Sequence, residues 1–139
     1  MLAKRILRTV LVVLDGFLAL TAVAGGIGLL TGANAPALEF LQGSPFSSYT
    51  IPGLALLVIV GGCALAATIW MWRRHPFGAP ASGLAGVVII GFEIVEVLVI
   101  GSPAGIARNL QVVYFTLGLL ILVLAGGMWV SERAEAAEG

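Results

Sequence analysis

The stretch "QVVYFTLGLLILVLAGGMWV", residues 111–130, runs for 20 positions without a charged side chain. At 1.5 Å per residue a helix of that length covers about 30 Å, the thickness of a bilayer's hydrocarbon core. Three further windows long and apolar enough to cross it lie upstream, at about 6–30, 51–72 and 82–100. Hydrophobic residues make up 60% of the 139, charged residues 10%, and the mean hydropathy is +1.10, a membrane composition. The sequence therefore predicts an all-α fold, a membrane bundle of four transmembrane helices. Residues 1–139 form one domain with a short polar tail at 131–139 and no room for a separate soluble domain.

Orientation follows from Lys and Arg near the helix ends. Lys4, Arg5 and Arg8 precede or open the first span, Arg73 and Arg74 join the second to the third, and Arg133 follows the fourth. Arg108 stands alone on the other side. This bias predicts that both termini and the 73–81 loop are cytoplasmic and that the 31–50 and 101–110 loops face outward, in a multi-pass protein of the cytoplasmic (inner) membrane. The "ANA" at 33–35 has the small-residue look of a signal cleavage site, but the preceding apolar run exceeds the roughly 7–15 residues of a signal core, so it is read as a retained span.

The loops carry turn chemistry where this topology needs it. "RRHPFGAP" at 73–80 and "GSPAGIARN" at 101–109 break their helices with Pro and Gly. The longer first loop mixes apolar residues with Glu39, Gln42 and serines. Leu38, Phe40, Leu41 and Phe46 suit a short segment dipping into the interface, and Ser47, Ser48 or Thr50 suit a cap on the second span, with Pro52 in its first turn. A capped loop is preferred here to a ligand-binding lid. Trp70, Trp72 and Trp129 sit at cytoplasmic ends, where indole rings anchor in the headgroup region. The two halves show no internal repeat.

Within this apolar frame, "GFEIVEVLVIG" at 91–101 sets two glutamates three residues apart on one face of the third helix, in line with Ser82, Gly86, Ile89 and Ile100. Asp15 lies on a first-helix stripe with Ala19, Ala22 and Gly26, whose small-xxx-small spacing lets helices approach closely. Gln111, Gly118 and Ala125 mark a matching stripe on the fourth helix, with Tyr114 beside it. A carboxylate at the bilayer centre costs on the order of 2.5–3.5 kcal/mol, so these acids must face protein or a cavity. Asp15, Glu93, Glu96, Gln111, Arg108 and Tyr114 are thus the candidate ligand- or proton-binding residues, with Arg108 placed to reach Glu96 or Glu39. Ala22, Gly26, Gly61, Gly62, Gly86 and Gly118 are the candidate helix-packing positions.

Other chemistry is poorly served. Cys63 is the single cysteine, which excludes an intramolecular disulfide, a CxxC pair and a cysteine metal cage. His75 is the single histidine, in a cytoplasmic turn, so neither a haem nor a zinc site is expected. The serines at 44, 47 and 48 have no neighbouring base, and no intramembrane aspartyl protease motif is present. No catalytic residue, metal or cofactor is predicted. Seven basic and seven acidic residues give zero formal charge, and no basic stripe offers itself to nucleic acid.

Several pieces together resemble a broad group of uncharacterised bacterial four-helix membrane proteins. They are "GGIGLL" at 25–30, Ser44-Pro45-Phe46, Ile51-Pro52-Gly53, the arginine hairpin, "VLVIG" at 97–101, and Leu110-Gln111 followed by Tyr114 and Gly118. The similarity spans roughly residues 10–125 and implies the same four-span inner-membrane fold without implying an activity. In that group the positions of Asp15 and Glu96 commonly hold glutamine, which implies that a hydrogen-bonding side chain, charged or not, is what they require. Claudin-like, tetraspanin-like and quinone-linked disulfide proteins need cysteines that this chain lacks. The expected function is a non-enzymatic interaction or accessory subunit, embedded in the lipid bilayer and packing through its Gly/Ala-rich faces against itself or a larger membrane complex. The alternative is a binding or transport protein that holds a proton, cation or small lipid-like ligand in the carboxylate cluster.

Overall fold

In the computed structural model, which describes residues 2–33, 35 and 37–138, four helices are long and apolar enough to cross a membrane. They are α1 (Leu2–Thr31), α2 (Thr50–Trp72), α3 (Gly78–Ile100) and α4 (Ile106–Glu138). The spans outrun the charge-free windows because the flanking basic and acidic residues continue the helices beyond the hydrocarbon. Residues 131–138 are the last turns of α4, and Arg108 falls in its first. Each helix packs on its neighbours in chain order and α1 also meets α4, so the bundle runs up-down-up-down with α1 and α3 on a diagonal. Both termini and the turn between α2 and α3 therefore share one end, where Lys4 Nζ donates to Glu135 Oε2 at 2.9 Å. The other two connections share the opposite, or loop, end.

Leu11, Leu18, Val60, Met71, Ile89, Ile121 and Met128 are fully buried and form the core along the bundle axis. Large apolar residues such as Leu20, Leu65, Leu98 and Val123 are exposed, as helices facing lipid require. Lipid tails remove the hydrophobic drive for helix association, so close packing must supply it. Glycine makes that possible. A Cβ at Gly26 would stand 2.7 Å from Leu57 Cβ and 2.9 Å from Gly53 O, which fixes how near α1 comes to α2. A Cβ at Gly86 would lie 2.9 Å from Gly118 O, and one at Gly118 would lie 2.7 Å from Ile89 Cγ2 and 3.1 Å from Gly86 O. These two glycines bring the backbones of α3 and α4 into reciprocal contact.

The segment Ala55–Val60 of α2 is π-helical, directly opposite this glycine contact with α1. Before α2 the chain forms a 3-10 turn at Leu38–Leu41 that packs on α3 and buries Leu41. Tyr49 is buried too, and its hydroxyl donates to Ala37 O at 3.1 Å, tying the loop across itself. The N-cap residue Tyr49 makes no side-chain cap bond, but Ser48 Oγ accepts the Thr50 N–H at 3.4 Å and its hydroxyl donates to Thr50 Oγ1 at 3.1 Å.

The α2–α3 turn is a Schellman closure. His75 N–H donates to Trp70 O at 2.9 Å and Arg74 N–H to Met71 O at 3.2 Å, with Arg74 left-handed at φ 57°. The His75 ring stacks on Trp70 with centroids 5.6 Å apart, Pro76 follows, and the Phe77 N–H that opens α3 donates to His75 Nδ1 at 3.1 Å. A left-handed non-glycine residue costs about 1–2 kcal/mol.

Two predictions follow from this packing and can be measured by unfolding in detergent. Arg74→Gly raises stability by roughly 1 kcal/mol, since the backbone conformation is retained and its strain relieved. Gly26→Ala and Gly118→Ala each lower it by about 1–3 kcal/mol through overpacking. Gly62→Ala, whose Cβ meets nothing within 4 Å, does not destabilise.

Candidate functional site

The buried polar side chains among the described residues are Asp15, Ser82, Glu93 and Gln111, and they separate into two levels. Ser82 sits one turn into α3 and Glu93 eleven residues later, about 16 Å farther along the helix. Asp15 is at the lower level. It is completely buried, and its Oδ2 accepts the Ser82 hydroxyl at 2.6 Å, while Oδ1 has no hydrogen-bond partner. This bond ties α1 to α3 across the diagonal, where those helices otherwise touch least. The sequence placed Asp15 in one outward cavity with both glutamates; the structure moves it to a separate pair, because the level of Asp15 on α1 meets Ser82 rather than Glu93. Positions 83–92 of α3 carry no polar side chain that would connect the two levels.

Glu93 and Glu96 lie toward the loop end, about 10 Å and 6 Å from the last residue of α3. One turn apart on the same face of α3, both line the cavity between α1, α3 and α4. Glu93 is 6% exposed and its Oε2 has no partner; Glu96 is half-buried. Gln111 Nε2 donates to Gly101 O at 3.0 Å, which locks α4 onto the glycine that ends α3, a left-handed residue at φ 73°. Its Oε1 is left without a partner.

Two cavities meet at Glu96. One, about 330 Å³, lies between α1, α3 and α4 and is lined by Leu18, Ala22, Glu93, Glu96 and Tyr114 among others. The second, about 270 Å³, lies between α2, α3 and the first loop, under Leu41, Phe46 and Tyr49. Leu29, Phe92, Glu96 and Ile100 border both, so the Glu96 carboxyl stands in the wall between a mixed cavity and an apolar one. Exposed Ile51, Ile59, Gly91 and Val95 rim the apolar cavity, which therefore opens on the lipid-facing surface between α2 and α3.

Arg108 does not join the cluster. Its Nε and Nη2 donate to Ser102 O at 3.0 and 2.6 Å, so it closes the α3–α4 turn and pairs with neither Glu96 nor Glu39. The sequence expectation of an Arg108 ion pair fails because a carbonyl six residues away in the same turn is nearer than either acid. Lys4–Glu135 is the sole ion pair among the described residues, far from the site. Among those residues no group of three His, Cys, Asp or Glu side chains stands close enough to hold a metal.

Of the packing candidates, Ala22, Gly26, Gly61, Gly86 and Gly118 are buried inside the bundle, whereas Gly62 faces outward. Sequence reasoning missed the cavity walls Leu29, Leu56 and Phe92, the buried Tyr49 and the π-helical segment that lines both cavities. An aromatic residue just ahead of Ile51-Pro52-Gly53 was the available signal for Tyr49. The walls had none, since one apolar side chain in a span resembles another. Comparison with family models, with curated proteins and with solved structures finds no match to this chain.

The Asp15–Ser82 pair makes a direct prediction. Ser82→Ala strands a fully buried carboxyl without its donor and lowers stability by about 1–3 kcal/mol. Asp15→Asn, which keeps an acceptor for the hydroxyl, costs less. Thermal unfolding in detergent ranks the two, and equal losses would show that the hydrogen bond contributes nothing beyond packing.

Proposed function

We propose that this chain is a membrane-embedded binding or transport protein whose ligand, a proton, a cation or a small lipid-like molecule, is held by Glu93 and Glu96. The observation that carries the reading is the meeting of two cavities at Glu96, one of them also lined by Glu93, whose buried Oε2 has no hydrogen-bond partner among the described residues. Buried polar atoms are nearly always hydrogen-bonded, and intramembrane acids are costly enough to mark function. Tyr114 and Gln111 supply further hydrogen-bonding capacity. Under the orientation set by the basic residues, in which both termini are cytoplasmic, the site occupies the outer half of the bundle. The apolar stretch between Glu93 and Ser82 favours binding from the loop end over a proton wire through the protein.

A second reading, an accessory subunit that packs against itself or a larger complex, keeps one observation in its favour. Gly62, Gly126 and Gly127 face outward with nothing within 4 Å of an added Cβ, so another helix has room to approach there. It ranks second because Gly26, Gly61, Gly86 and Gly118 are already used inside the bundle.

Native mass spectrometry of the protein extracted gently from its own membrane separates the two. The binding reading expects a retained small molecule whose occupancy falls at least about tenfold, ~1.4 kcal/mol, in the Glu93→Gln, Glu96→Gln double variant. Undiminished occupancy in that variant would refute it. Co-migration with a larger protein, sensitive to Gly126→Leu and insensitive to the glutamates, would replace it with the subunit reading.

A further inference from the structure

The chemistry of the two cavities narrows the ligand class, resting on the binding reading above. We propose that the Glu93–Glu96 site takes an amphiphilic primary amine, its ammonium head between the two carboxyls and its alkyl chain in the apolar cavity under Leu41, Phe46 and Tyr49.

Charge complementarity comes first. Two acids stand side by side, and the basic residue nearest in sequence, Arg108, is committed to Ser102 O. Among the described residues no cation pairs with either acid, so a cationic head supplies what the fold does not. An ammonium carries three N–H donors and no acceptor. That set suits the unpartnered Glu93 Oε2 together with Glu96 in the same cavity. Phe92 and Tyr114 line that cavity as well, and aromatic faces attract an organic cation.

A bare metal cation fits less well. Hard cations take six or more oxygen ligands. Here the Thr21 hydroxyl and the Tyr114 phenol are the other side-chain oxygens lining the cavity, which with the two carboxyls leaves such a shell short of protein ligands.

The chain argument is geometric. The apolar cavity begins at Glu96 and ends beneath the first loop, and it has no use for a small hydrated ion. The Tyr49 hydroxyl on its wall is occupied by Ala37 O. Its mouth faces the bilayer, so a chain dissolved in lipid enters sideways without crossing water. Such a chain gains little hydrophobic free energy on leaving the lipid, since both environments are apolar. The tail delivers the ligand and the carboxyls discriminate it, so selectivity follows head charge.

The test uses the full chain reconstituted in phosphatidylcholine nanodiscs, with tritiated dodecylamine as probe, scintillation proximity as readout and empty discs as background. The expected result is saturable binding that unlabelled dodecylamine displaces and that dodecanol and dodecanoate displace at least tenfold more weakly. Glu93→Gln with Glu96→Gln weakens binding at least tenfold, and Arg108→Gln leaves it unchanged. Gly91→Leu supplies a variant with the carboxyls intact. Gly91 is exposed at the rim of the apolar cavity and its added Cβ meets nothing within 4 Å, so a leucine there obstructs the tail's entrance without straining the bundle. It weakens dodecylamine at least tenfold.

Equal displacement by dodecanol, or undiminished binding in the double glutamine variant, overturns the proposal. Displacement by butylamine or sodium as effective as by dodecylamine also overturns it, while leaving a carboxylate cation site standing. Absence of saturable binding to any of these cations sinks the amine proposal; the broader binding reading then falls only if the double variant also retains its native occupant.

Discussion

The close approach of α3 and α4 at Gly86 and Gly118 governs much of what this bundle can do. With lipid on the outside, apolar contact alone does not favour helix against helix over helix against tail. Shape complementarity must do so, and it is greatest where backbones touch. Gly86 and Gly118 meet each other's carbonyls at van der Waals range, and Gly26 meets Gly53 and Leu57 in the same way on the other side of the bundle. These contacts fix two pairs of helices: α1 with α2, and α3 with α4.

What the tight contacts leave open is equally consequential. Beyond Gly86, toward the loop end, α3 carries bulkier Phe92 and the two glutamates, and the neighbouring helices do not fill the space around them. The π-helical turns of α2 border both cavities at this level; π segments in other helices commonly accompany functional sites. The first loop folds back over the opening with Leu41 and Tyr49 buried, held by the Tyr49–Ala37 hydrogen bond. A segment whose composition suits a plain connection thereby becomes the roof of a cavity, and its aromatic residues acquire a place in the site.

The polar groups of the bundle divide by what they touch. Asp15 and Ser82 satisfy one another across the diagonal, and Arg108 and Gln111 satisfy the carbonyls of the α3–α4 turn. Those are cross-braces. Glu93 and Glu96 instead line a cavity, and Glu96 borders a second one. The distinction rests on partners rather than on residue type, since Asp15 is the more deeply buried acid and yet borders neither cavity.

Four helices of spanning length were fixed by the sequence alone, because the length of charge-free runs such as 111–130 is a direct measure of hydrocarbon thickness. The i, i+3 spacing likewise put Glu93 and Glu96 on one face, since helical periodicity is local. Their neighbours were not legible. Whether Asp15 met Glu93 or Ser82 depended on how far one helix slides past another, and that register is decided by packing that brings together residues 67 positions apart in sequence. Arg108 was equally ambiguous in sequence, where the distance to a glutamate is plain but the nearer carbonyl of Ser102 exists only once the turn has closed. The cavities belonged wholly to the tertiary structure. Empty space between helices is the difference between two packed surfaces, and no single stretch of sequence encodes both.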